Sequence, residues 1–242
     1  QELINLGVVF CNDKKIDKAN FLVNKEDKII IKDNKLLKYV SRGGLKLEKA
    51  LDYFNINVKN LIAMDIGSST GGFCDCLIQN GIKKVIAIDV GRNLLHDRLK
   101  NNKLIELHEE TNFKEIDSSY FKDIDIITCD VSFISIKAII EKIFKENIKV
   151  EGIFLIKPQF ECGKELAYKY KGIILNKKVH IKIIKELFKY FNSLDFYIKD
   201  FTFSPILGGD GNIEYLVYLS NKISTNKKIN IESIVQEGFR SK

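Results

Sequence analysis

The chain has 242 residues, 45% hydrophobic and 29% charged, a composition that excludes a disordered polymer and suits one α/β domain with a small appendage. Its formal net charge is +7, and the first 60 residues hold 12 Lys and Arg against 8 Asp and Glu. That balance admits a polyanionic partner, though Lys-rich composition spread over a solvated surface gives the same number. No apolar run reaches the length of a membrane span and no signal peptide is visible, which argues against a membrane protein or a bilayer-lytic one. Five cysteines (Cys11, Cys74, Cys76, Cys129, Cys162) without a C-x-x-C pair predict reduced, mostly buried thiols and a cytoplasmic location. His96, His108 and His180 show no metal-ligand spacing, so no metal site is expected.

The chain opens at Gln1 without Met, and is read as starting inside a module. Residues 8–11 and 29–31 predict short strands separated by Asn/Asp/Lys turn clusters. Ser41 suits a helix N-cap, with Leu47, Ala50, Leu51 and Phe54 recurring at helical spacing after it. Strands are then expected near 61–66, 85–90, 104–108, 124–130 and 152–157, and helices near 71–80, 92–101, 134–146 and 176–192. Such alternation predicts a mostly parallel sheet covered on both faces. Strands near 196–204 and 214–220 have no helix between them, only the Gly-Gly-Asp-Gly-Asn turn at 208–212, and should be antiparallel. The polar tail from Asn221 is expected to be peripheral.

The segment Asp65-Ile-Gly67-Ser-Ser69-Thr70-Gly71-Gly72-Phe73 follows the first strand of the alternating part and opens its first helix. Glycines there allow a tight turn and close approach of a ligand. Asp89, 22 positions after Gly67, ends the next strand, where a carboxylate can accept from ribose hydroxyls. A dinucleotide fingerprint would need glycine where Ser69 stands, and Asp65 disfavours a phosphate nearby. S-adenosylmethionine, with a ribose and cationic groups but no phosphate, fits better. The same loop contains G-x-S-x-G, the nucleophile elbow of α/β-hydrolases, with Ser69 as nucleophile and His180 as the sole late base. His180 lies in a Lys- and Ile-rich helical stretch and is read instead as a helix-surface histidine.

Five ordered segments carry a family resemblance: Tyr39-Val-Ser-Arg-Gly-Gly-Leu-Lys46-Leu, the Asp65–Phe73 loop, Asp130-Val-Ser-Phe-Ile-Ser135, Leu155-Ile-Lys157-Pro-Gln-Phe-Glu161 and Gly211-Asn-Ile-Glu214-Tyr-Leu216. Together they resemble the TlyA (haemolysin A) family of ribosomal RNA methyltransferases with an FtsJ-type catalytic domain. The resemblance implies methyl transfer from S-adenosylmethionine to a ribose 2′-hydroxyl by a Lys-Asp-Lys-Glu set, matched here by Lys46, Asp130, Lys157 and Glu214. It further implies a Rossmann-like α/β methyltransferase domain over residues 36–242. A small β-rich RNA-binding module is implied before it, of which residues 1–35 would be a part.

A ribose hydroxyl is a very weak acid, so a base must take its proton as it attacks. In this reading Lys157 is that base, Lys46 lowers its pKa, and the two carboxylates orient the amines. Read singly, Lys46 is a solvated helix lysine, Lys157 the end of a strand, Asp130 the cap of the helix near Ile134, and Glu214 an edge-strand charge. The matched set favours the functional reading. The cofactor candidates are Asp65, Gly67, Ser69, Thr70, Gly71, Gly72, Phe73, Asp89, Asn112 and Asp130. Arg42, Lys14, Lys15 and the further lysines up to Lys38 are candidate RNA contacts, and ribosomal RNA or a ribosomal subunit is the expected partner. A non-catalytic RNA-binding protein and a haemolysin-like membrane-active protein are the alternatives from other classes.

Overall fold

A computed structural model describes residues 2–5, 8–31 and 38–241. The boundary expected at residue 35, with Lys32 and Lys35, lies outside the described residues. A first short helix, α1 (Glu2–Asn5), precedes a small antiparallel sheet of order β2-β1-β3, formed by β1 (Val9–Cys11), β2 (Lys14–Lys15) and β3 (Ile29–Ile31). Its core is slight: Val9, Cys11 and Ile16 with Leu3 and Ile4 against them. The short strand β2 escaped the sequence reading because two exposed lysines carry no hydrophobic alternation.

The rest builds one seven-stranded sheet. In chain order its elements are α2 (Gly43–Phe54), β4 (Ile62–Ile66), α3 (Gly72–Gln79), β5 (Lys84–Ile88), α4 (Asp97–Lys100), β6 (Ile105–His108) and β7 (Ile126–Cys129). There follow α5 (Ile136–Lys145), β8 (Glu151–Ile156), α6 (Pro158–Glu161), α7 (Gly163–Lys169), α8 (Lys177–Ser193), β9 (Tyr197–Phe203), β10 (Tyr215–Ser220) and α9 (Ile231–Arg240). The strand order is β6-β5-β4-β7-β8-β10-β9. Pairs from β6 through β8 are parallel; β10 pairs antiparallel with both β8 and β9.

Alternate strand residues feed two cores. Met64, Phe154, Ile156 and Val217 join Ile140, Leu187 and Val235 from α5, α8 and α9 on one face. Ala63, Ile153, Leu155 and Leu216 join Leu47, Ala50 and Leu77 from α2 and α3 on the other. Burial on both faces explains why the central strands read as continuous apolar runs.

Three expectations need correction. Arg42, not Ser41, occupies the N-cap position of α2, and it makes no side-chain capping bond. The helix expected over 92–101 shrinks to the single turn of α4, capped by the His96 ring, which accepts from Arg98 N at 3.2 Å. The tail is not peripheral throughout: α9 buries Ile231 and Val235, and Gly238 sits against the Phe203 ring. Ile231, Ile234, Val235 and Phe239 carry the i, i+3, i+4 spacing that marks such a face, diluted by polar neighbours.

Candidate active site

The order of the strands reverses between β4 and β7, and the cleft outside their carboxyl ends is where an open α/β sheet places its ligands. Two cavities meet there, and Gly67, Ser69, Asp130 and Ser132 line both. One, of about 360 Å³, runs toward the end of β5 and is walled by Ile88, Asp89, Val90, Asn112, Phe113, Val131 and Phe133. The other, of about 270 Å³, is walled by Ser41, Arg42, Lys46, Thr70, Gly72, Phe73, Lys157 and Leu207.

Four charges gather at the second cavity, Lys46, Lys157 and Glu214 buried and Asp130 partly so. Lys157 Nζ lies 2.6 Å from Asp130 Oδ1 and donates to Ser132 Oγ at 2.8 Å. Lys46 Nζ lies 3.4 Å from Asp130 Oδ2 and 2.6 Å from Glu214 Oε2. The register of the sheet produces this cluster. Tyr215 pairs with Ile156, so an antiparallel β10 begins where β8 ends and sets Glu214 beside the Lys157 end of the sheet. Lys46 reaches the cluster from α2, where it is 8% exposed instead of solvated. Glu214 is 2% exposed and β10 is interior to the sheet, so it is no edge-strand charge. Asp130 does not cap α5, whose cap is Ser135.

Asp130 therefore lies between two amines, not beside one. Burial would raise its pKa, but Lys46 and Lys157 together hold it below the usual carboxylate value. Burial likewise pulls Lys46 down, and the charges of Asp130 and Glu214 outweigh it, so its pKa ends raised. The two ammoniums thus share one carboxylate, an arrangement that chain order could not reveal.

The other predicted residues divide. Gly67 and Ser69 stand at the junction of the cavities; Thr70, Gly72 and Phe73 face the lysine side. Gly67 has φ +80°, and a Cβ there would come within 2.8 Å of the Asp130 carbonyl, so only glycine lets the loop pass this strand end. Gly71 lines neither cavity; it occupies the N-cap position of α3. Asp89 lines the larger cavity, and its carboxylate is fixed by Ser69 N at 2.8 Å and Gly91 N at 2.7 Å. Asn112 lines it too, but its amide is engaged in its own turn, with Lys114 N at 3.1 Å and Glu115 at 2.8 Å.

Asp65 lies behind the loop. It is fully buried, accepts from Thr128 Oγ1 at 2.8 Å and Cys74 Sγ at 3.1 Å, and burial pushes its pKa up to about 6. It reaches neither cavity, so it shapes the loop from below. Arg42 lines the lysine-side cavity, whereas Lys14 and Lys15 are exposed on the small sheet.

Sequence reasoning passed over Ser68 and Ser132. Ser68 is buried on the lysine side, and its hydroxyl finds no hydrogen-bond partner among the described residues. Ser132 holds the Lys157 amine. Both sit inside quoted motifs, where a serine two or three positions after a carboxylate gives no signal of its own. His180 is corrected outright. It is fully buried, with its ring nitrogens against Tyr215 Oη at 2.8 Å and the Ile174 carbonyl at 2.9 Å, and it is not among the residues lining either cavity. His180 therefore cannot serve Ser69 as base, and the hydrolase reading that named it fails.

Among the described residues no three His, Cys, Asp or Glu side chains are grouped to hold a metal, and no helix is long and apolar enough to cross a membrane. The five cysteines are free of disulfides, four of them buried and Cys162 partly so.

A parallel sheet that turns antiparallel at one side, with a two-lobed cleft at its switch point, defines an α/β protein of the methyltransferase type. The chain belongs to the FtsJ-like methyltransferase family, whose profile matches residues 39–221. It is 42% identical to the hemolysin A of Brachyspira hyodysenteriae, over 90% of this chain and 91% of that one. It is 38% identical to the 23S rRNA (cytidine-2′-O)-methyltransferase TlyA of Campylobacter jejuni, again over 90% and 91% of the two chains. A solved structure from Streptococcus thermophilus that carries the name hemolysin superposes with a TM-score of 0.83 at 35% identity, covering 98% of this chain and 88% of that one.

Proposed function

We propose that the chain methylates a ribose 2′-hydroxyl of ribosomal RNA, using S-adenosylmethionine as donor and Lys157 as base. The observation that carries this reading is the Lys46–Asp130–Lys157–Glu214 cluster beside the smaller cavity, with Asp130 at its seam with the larger one; the larger suits a nucleoside and the smaller a polar target. The donor's requirements fit the larger cavity. Its volume lies in the range of small-molecule sites, its walls are mainly apolar, and the Asp89 carboxylate is held by two backbone amides with lone pairs left for ribose hydroxyls. Gly67, Ser69 and Asp89 would hold it, with the apolar side chains of Val131 and Phe113 against its base. S-adenosylmethionine, when bound, supplies an electrophilic methyl carbon and a neutral thioether leaving group.

The residues of the chain do the rest. Lys157, paired to Asp130, acts as the neutral amine once its ammonium proton has passed to water in the cavity that it lines; it then takes the proton of the 2′-hydroxyl as that oxygen attacks. Lys46 shares the Asp130 carboxylate with Lys157 and fixes it in place from the α2 side. Glu214 keeps Lys46 in place. Arg42, at the rim of the target cavity, contacts an RNA phosphate. Residues 1–35 act as part of an RNA-binding module separate from the methyltransferase domain, with Lys14 and Lys15 among its contacts. The names of the Campylobacter relative and of its group agree with an RNA target.

The test is transfer of labelled methyl from S-adenosylmethionine to purified ribosomal subunits. Label recovered in ribose 2′-positions, and lost in Lys157→Ala, supports the reading. Base methylation, or full transfer by the variant, would overturn it.

A further inference from the structure

Asp130 and Lys157 end different strands, β7 and β8, and their ion pair depends on what the chain does after each strand. The two segments that follow are laced together contact by contact. Lys157 meets Asp130 at 2.6 Å and Ser132 at 2.8 Å. The Phe133 and Phe160 rings lie 5.2 Å apart. At the far end the Glu161 carboxylate accepts from Ser135 Oγ at 2.6 Å and from Ile136 N at 2.7 Å.

That last contact differs from the others. It joins α6 to the start of α5, where a backbone N–H has no partner within its own helix and a negative charge is favoured. Hydrogen bonds to a carboxylate are the stronger kind. The segment it closes also holds Phe133 at φ 64°, a left-handed conformation that a bulky side chain adopts only under constraint. Residues 131–134 wall the larger cavity, so one short stretch serves both the proposed donor and the proposed base. Glu161 itself lines neither cavity.

We infer that Glu161 is a positioning residue: by fastening the start of α5 to the segment after β8, it holds Asp130 and Lys157 in the arrangement that transfer requires. This inference rests on the proposed function, in which Lys157 is the base. Glu161 touches no reacting atom and acts only through the two segments that it joins.

The test compares Glu161→Ala and Glu161→Gln in the full chain. Glutamine keeps an acceptor for the Ile136 N–H and an amide that the Ser135 hydroxyl can meet; alanine keeps neither. We expect Glu161→Ala to lower kcat roughly 10- to 100-fold, the scale of a small misplacement of reacting groups. Its KM for S-adenosylmethionine should stay within about threefold, and Glu161→Gln should recover most of the rate. Hydrogen exchange of the amides at 131–136 should quicken in the alanine variant and not in the glutamine one.

Wild-type kcat in Glu161→Ala, unchanged exchange, or failure of glutamine to rescue would overturn the inference. Should alanine abolish folding, Glu161→Asp, which withdraws the charge by one methylene, takes its place with the same expectations. A wild-type chain that methylates no ribosomal RNA would sink the proposed function instead, and the exchange difference would still decide whether Glu161 fastens the segment.

Discussion

The two lobes of the cleft are made differently. The larger lobe is built from the end of β4 with the loop after it and from the turns after β5, β6 and β7; its carboxylate Asp89 is fixed by backbone amides. The smaller lobe is built from side chains that are far apart in sequence. Lys46 comes from α2, Asp130 and Lys157 from neighbouring strand ends, and Glu214 from a strand that runs the other way. Backbone-built sites tolerate side-chain change, whereas a cluster of buried charges fails when one member is removed and its partner is left unpaired. The two lobes should therefore respond to substitution in separable ways.

The largest separation is expected from Lys157→Ala. Methyl transfer should fall by about 10³-fold, within the usual range for loss of a general base, while calorimetry finds cofactor affinity within about twofold of wild type. Loss of cofactor binding in that variant would show that the lobes are one site. Asp65→Asn probes the floor beneath both lobes. Burial holds the Asp65 carboxyl at about 6 in the fold, against 3.8 when exposed, so the folded state binds the extra proton between those values. That contribution is full below pH 3.8 and disappears as pH rises through 6, so Asp65 costs stability at neutral pH. Replacing it with Asn should raise neutral-pH stability by up to about 3 kcal/mol and flatten the melting profile between pH 4 and 6, the span set by the shift from 3.8 to about 6. A variant less stable at neutral pH would show instead that the two hydrogen bonds the carboxylate accepts outweigh the cost of its burial.

Asp89→Ala should weaken cofactor binding about tenfold, the worth of one hydrogen bond to a charged group, and leave RNA affinity as it was. The smallest effect belongs to Arg42→Ala. RNA binding should weaken several-fold and the slope of its salt dependence should drop by about one, with cofactor affinity unchanged. An unchanged slope would remove Arg42 from the list of phosphate contacts.

Legibility followed the same division. The loop from Asp65 to Phe73 and the acid at Asp89 are local patterns, a tight turn after a strand and a carboxylate at the end of the next, and chain order alone displays them. The side of the loop on which Asp65 lies was not readable, because a carboxylate ending a strand faces a ligand or the core according to the pleat. Here Thr128 on the adjacent strand claims it. His180 misled for a related reason. Lysines alternate with isoleucines along its helix, and nothing local says which stripe meets the sheet; Tyr215, 35 residues away, supplies the partner.

The sequence by itself determined the parallel alternation, the antiparallel last pair and the position of the glycine-rich loop, since each rests on periodicity or on a short motif. It also named Lys46, Asp130, Lys157 and Glu214, through ordered segments that resemble a family. Only the tertiary structure decided that these four meet, that Asp130 is shared by both lysines, and that Glu161 fastens their supports. Those facts depend on strand order and register, set by packing across the whole sheet, and neither spacing nor composition encodes which strand ends become neighbours.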